Sequence, residues 1–133
     1  MTRILIVDDD PHVVALLSDV LRQAGYEVAS VTHSLRAFDR AKEFRPDLLL
    51  LDLMMPYLDG IDQLVLFGMD SDLKDIPAIV ITAKWRPLEG IEAQITRRIV
   101  GLLPKPFDLD ALLALVKRAV AAPFAQPVPE PAA

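Results

Sequence analysis

The chain has 133 residues, no cysteine and a formal net charge of −5 at pH 7. That length suits one domain around one core, and 53% hydrophobic residues exclude a disordered polymer. Disulfides and thiolate metal sites are ruled out, and an acidic chain offers no general field for nucleic acid, so direct nucleic-acid binding by this chain is disfavoured.

The first element is "ILIV", residues 4–7, a strand that Met1-Thr2-Arg3 leads into without a signal peptide. Apolar runs are far shorter than a bilayer requires, so a soluble, cytoplasmic protein with no membrane partner is expected. Val13, Val14, Leu16, Leu17, Val20, Leu21 and Ala24 then recur at helical spacing, with Asp10-Pro11 suited to the N-cap and first position and Gly25 to the C-terminus. Strands at 27–31, 48–51, 78–81 and 100–103 alternate with helices at 34–44, 59–69, 87–99 and 108–122, the last capped by Asp108. Five strands and five helices in strict alternation predict a parallel sheet covered on both faces. The run Leu48 to Leu51 supports this, because a strand buried on both sides reads as continuous apolar sequence. From Pro123 the sequence "PFAQPVPEPAA" has no period and reads as a linker or frayed end, which puts the domain at 1–122 and a Pro/Ala-rich tail at 123–133.

The strand exits carry the chemistry. Asp8, Asp9 and Asp10 follow the first strand, Asp52 the third, Thr82 the fourth and Lys105 the fifth. In open parallel sheets, ligands bind at the carboxyl ends of the strands near a switch point, so these side chains can converge. Clustered carboxylates repel unless a cation neutralises them, and oxygen ligands favour a hard ion such as Mg²⁺. A hydroxyl and an ammonium opposite that cation suit a phosphoryl group, with Asp52 as the nucleophile that takes it.

These motifs, "VDDD" at 7–10, "DLMMPYLDG" at 52–60, "VITA" at 80–83 and "KPF" at 105–107, resemble the receiver domain of a bacterial two-component response regulator. The resemblance runs from about Arg3 to Ala122 and implies a flavodoxin-like, doubly wound sheet of order 2-1-3-4-5. It implies a phospho-acceptor signalling switch in which Asp52 takes a phosphoryl group from a sensor histidine kinase or histidine phosphotransfer protein. Asp8, Asp9, Asp52 and the main-chain carbonyl of Met54 would hold Mg²⁺; Thr82, Ala83 and Lys105 would bind the phosphoryl group. Such a domain catalyses only its own phosphorylation and dephosphorylation, and its output is contact with a downstream protein or effector domain. Receivers often dimerise, so a homodimer is among the implied partners. Met54 and Lys84 occupy the two positions that the family uses to tune phosphoryl lifetime, and the bond before Pro106 is usually cis in the family.

The chain departs from the family at Leu102, where tyrosine or phenylalanine is usual and rotates inward with the threonine's movement. Phosphorylation is therefore expected to persist while signalling across the neighbouring face is altered. Trp85 is a candidate substitute, or else a partner-contacting aromatic. Two other readings stand beside the switch: a pseudo-receiver acting as a constitutive interaction module, and a small aspartyl-phosphate phosphatase, which the absence of an acid at Met54 disfavours. The remaining polar residues have structural readings. Asp59-Gly60 is a turn that opens a helix. His12 and His33 are peripheral, Asp70, Asp72 and Asp75 belong to a solvated loop, and Arg97 and Arg98 form a wet helix end.

Overall fold

A computed structural model of the chain describes residues 1–83 and 98–121. Its strands are β1 (Arg3–Val7), β2 (Glu27–Val31), β3 (Leu48–Asp52), β4 (Ala78–Thr82) and β5 (Ile99–Pro104). Its helices are α1 (Pro11–Gln23), α2 (Ala37–Phe44), α3 (Gly60–Gly68) and α4 (Leu109–Ala121), with a 3₁₀ turn at Ser34–Arg36 before α2. Of the expected helix at 87–99, residues 87–97 lie outside the described residues; Arg98 is helical, and Ile99 opens β5 instead. The expected tail also lies outside them.

All strand pairs are parallel and the order is β2-β1-β3-β4-β5. This is the doubly wound, flavodoxin-like architecture, and its alternating side chains explain the leucine run. Leu49 and Leu51 point with Leu5, Val7 and Val80 into the layer under α2 and α3. Leu48 and Leu50 point with Ile4, Ile6, Ile79 and Ile81 into the layer under α1 and α4. None of the four leucines is more than 1% exposed, and burying each contributes about 1.5–3 kcal/mol.

Local chemistry sets the helix ends. Asp10 caps α1 by accepting from the His12 amide, with Pro11 at the first turn. Beyond the C-terminus of α1, Gly25 takes φ +97°, while its amide and that of Tyr26 donate to the carbonyls of Arg22 and Leu21. Asp59 caps α3 through the Asp62 amide, as its sequence context predicts. Asp108 caps α4 through the Asp110 amide.

Arg98 corrects an expectation. It is not a wet helix end: only 6% exposed, it donates from Nη1 to the Leu64 carbonyl at 2.7 Å and from Nη2 to the Leu73 carbonyl at 3.4 Å. Burial lowers its pKa, partly opposed by the charge of Asp75. It thus joins the middle of α3 to the segment leading into β4, a role that a rule based on helix-end charge misses. Arg97 lies outside the described residues. The loop acids also have more structure than expected, because Lys42 Nζ reaches Asp70 at 3.1 Å and Asp72 at 2.8 Å.

Candidate functional site

Strand register gathers the polar exits. Val7 pairs with Leu51, Asp52 with Ile81 and Thr82 with Pro104, so the carboxyl ends of β1, β3, β4 and β5 finish side by side. Asp52 is the last residue of β3 and not, as expected, the first beyond it; it is 4% exposed. Asp8 is 1% exposed, directly after β1.

The three successive aspartates separate by role. Asp10 is turned to its capping bond, whereas Asp8, Asp9 and Asp52 each offer a carboxylate oxygen within 4.8 Å of the others. Asp8 is anchored at both oxygens: Oδ1 accepts from the Asp10 amide at 2.9 Å and Oδ2 from Lys105 Nζ at 2.9 Å. Asp52 is held likewise, with Oδ1 accepting from the Met54 amide at 2.9 Å and Oδ2 from Lys105 Nζ at 3.3 Å. Lys105 is delivered from beyond β5, where its amide donates to the Thr82 carbonyl and its bond to Pro106 is cis.

The electrostatics follow from one ammonium among three carboxylates. Burial raises the Asp52 pKa, and the neighbouring Asp8 charge adds to this; the Met54 amide and Lys105 oppose the rise without cancelling it. Burial alone would lower the Lys105 pKa, but the hydrogen bond to Asp8 and the charges of Asp52 and Asp8 outweigh it and the net shift is upward. Two negative charges therefore stay uncompensated, in an all-oxygen donor set partly withdrawn from water. A hard divalent cation fits that arrangement.

The other expected residues lie at this end of the sheet or beside it. Thr82 is 2% exposed at the end of β4, and Ala83, next to it, is exposed. Met54 places its amide against Asp52 while the residue as a whole is 52% exposed. Leu102 is 6% exposed in the layer under α2 and α3, two residues before the end of β5. Lys84 and Trp85 lie outside the described residues. His33, read as peripheral, is exposed, but its Nδ1 accepts from the Leu35 amide and its ring stacks on Tyr57. Two buried residues beside the site escaped the sequence reading. Gln63 donates to the Ser34 carbonyl, the Ser34 hydroxyl is bonded to the loop after Asp52, and only the tertiary structure brings them together.

Comparison with known proteins agrees with this fold. The chain is 36% identical over 124 residues to the DNA-binding dual master transcriptional regulator RpaA of Synechocystis, covering 88% of this chain and 48% of that protein. It is 36% identical over 118 residues to the DNA-binding response regulator MtrA of Mycolicibacterium smegmatis, covering 86% of this chain and 49% of that one. The chain therefore spans about half the length of these curated relatives. Among solved structures, chemotaxis protein CheY4 of Vibrio cholerae matches at TM-score 0.78 and 29% identity, over 89% of this chain and 98% of that one. The receiver domain of a Pseudomonas aeruginosa sensor histidine kinase, described with a magnesium ion coordinated in its active site cleft, matches at TM-score 0.76 and 27% identity, over 91% and 98%. The family model for the response regulator receiver domain matches residues 4–117, and the chain belongs to that family.

Proposed function

We propose that this receiver domain is a Mg²⁺-dependent switch in which Asp52 is the phosphoryl acceptor. The observation that carries the reading is the convergence of Asp8, Asp9 and Asp52 on one point, with the Lys105 ammonium between Asp8 and Asp52. Asp8, Asp9, Asp52 and the Met54 main-chain carbonyl would hold the ion. Bound there, Mg²⁺ supplies neutralisation of charge on the transferring phosphoryl oxygens.

The protein's own groups do the rest. The Met54 amide fixes the Asp52 carboxylate through Oδ1, so the nucleophile is oriented before a donor arrives. A carboxylate oxygen of Asp52 forms the new P–O bond as the P–N bond of a phosphohistidine donor breaks, and the imidazole leaves with the bonding pair. Lys105 then pairs with the phosphoryl oxygens, and the Thr82 hydroxyl and the Ala83 amide donate to them. Hydrolysis of the acyl phosphate resets the switch.

The donor is a histidine kinase or a histidine phosphotransfer protein. Output is contact with a downstream protein or an effector segment; the named relatives, about twice as long, are described as DNA-binding regulators. With Leu102 in place of an aromatic, state is not reported by a ring rotating at β5. Leu102 should keep one conformation with and without a phosphoryl analogue, and a large displacement there would refute this part. The central test is intact mass after incubation with Mg²⁺ and acetyl phosphate. One added phosphoryl group, lost in Asp52→Asn and with EDTA, is the expected result; no addition to folded wild-type protein overturns the proposal.

A further inference from the structure

The loop after Asp52 is held by a turn from a separate part of the chain. Ser34, 3% exposed at the start of the 3₁₀ turn, donates its hydroxyl proton to the Pro56 carbonyl at 2.6 Å and accepts from the Leu58 amide at 3.3 Å. The same hydroxyl thus engages two loop residues two apart, once as donor and once as acceptor. Behind it, the Ser34 carbonyl accepts from Gln63 Nε2 at 2.8 Å, and Gln63 is 1% exposed on α3.

A second contact acts between the same two segments. His33 stacks on Tyr57 with ring centroids 5.4 Å apart and planes 9° from parallel. Tyr57 has φ +72°, a backbone region that bulky L-residues rarely adopt and that persists only where surrounding contacts over-determine it. Near its start the loop is tied to the site by the Met54 amide on Asp52, and at its end by the Gly60 amide on the Leu53 carbonyl at 3.0 Å.

We propose that Ser34, supported by Gln63, is a positioning residue for the cation site: it sets the path of the 53–59 loop and so the placement of the Met54 main chain beside Asp52. The inference rests on the reading that Met54, Asp8, Asp9 and Asp52 hold Mg²⁺. Neither Ser34 nor Gln63 touches the ion; each acts through the loop.

The test is calorimetric titration of Mg²⁺ into wild-type protein, Ser34→Ala, Gln63→Met and Val116→Ala, with amide hydrogen exchange at Leu58 measured without metal. Val116→Ala opens a cavity in the layer under α1 and α4, on the opposite face of the sheet, and controls for general loosening. Ser34→Ala should weaken Mg²⁺ binding by about five-fold or more, the scale of one lost hydrogen bond, and speed exchange at Leu58. Gln63→Met should move both readouts the same way, and Val116→Ala should move neither. Mg²⁺ affinities within two-fold of wild type in both Ser34→Ala and Gln63→Met overturn the proposal, as does an equal weakening by Val116→Ala. If Ser34→Ala does not fold, Gln63→Met decides. Failure of the wild-type protein itself to bind Mg²⁺ refutes the metal reading, and this inference falls with it.

Discussion

Lys105 Nζ lies 2.9 Å from Asp8 Oδ2, joining residues 97 apart in sequence, and Asp8 is almost wholly removed from water. The same ammonium reaches Asp52, so a single cation partly balances two buried carboxylates. Taking it away strands both. Lys105→Met should lower stability by about 2–4 kcal/mol at neutral pH, measured by urea unfolding, because breaking a buried pair from one side leaves uncompensated charge. The raised Lys105 pKa means that its contribution is fully present below the unfolded lysine pKa, about 10.4, and is lost as pH rises through the folded value. The gap between the two proteins should therefore persist across neutral pH and close at strongly alkaline pH.

Asp52 has the opposite relation to stability. Its carboxyl pKa is raised by burial and by Asp8, so the folded state favours the protonated form, and stability falls as pH rises through the folded pKa. Asp52→Asn should be more stable than wild type at pH 7, by on the order of 1 kcal/mol, and the gain should vanish below about pH 3.9. Thermal unfolding across that range checks the sign. A less stable Asn variant at pH 7 would mean that Lys105 outweighs the burial cost.

Magnesium should act on the same imbalance. Binding to the folded state alone stabilises by about 2.7 kcal/mol at a concentration one hundred times the dissociation constant, so the melting temperature of wild-type protein should climb with added Mg²⁺ and return with EDTA. Asp9 is exposed, so Asp9→Asn should change metal-free stability by no more than about 0.5 kcal/mol. It should nevertheless blunt the Mg²⁺-dependent rise, a pairing of effects that scanning calorimetry can separate.

Gly60 is required by close approach. A Cβ there would lie 2.8 Å from Leu53 Cα and 2.9 Å from the Asp52 carbonyl oxygen, both backbone atoms. Gly60→Ala should cost about 1–3 kcal/mol through forced backbone shifts and should slow phosphoryl uptake from acetyl phosphate, because the displaced backbone adjoins the acceptor. Unchanged uptake with reduced stability would show that the acceptor tolerates the shift.

What could be read without coordinates was whatever depends on local periodicity and on backbone rules common to parallel sheets. The leucine run announced a strand buried on both faces, Asp10-Pro11 and Asp108 announced helix starts, and the polar exits after β1, β3, β4 and β5 announced one shared end of the sheet. These signals are legible because strand alternation, capping and parallel topology act over a few residues or over the whole sheet. Tertiary structure alone decided the rest. It drew Arg98 inward to the carbonyls of Leu64 and Leu73 and brought Ser34 to the loop after Asp52. The physical reason is that a hydrogen bond between residues 22 to 34 apart leaves no periodic trace, since its partners are neighbours only once the sheet has closed on its helices.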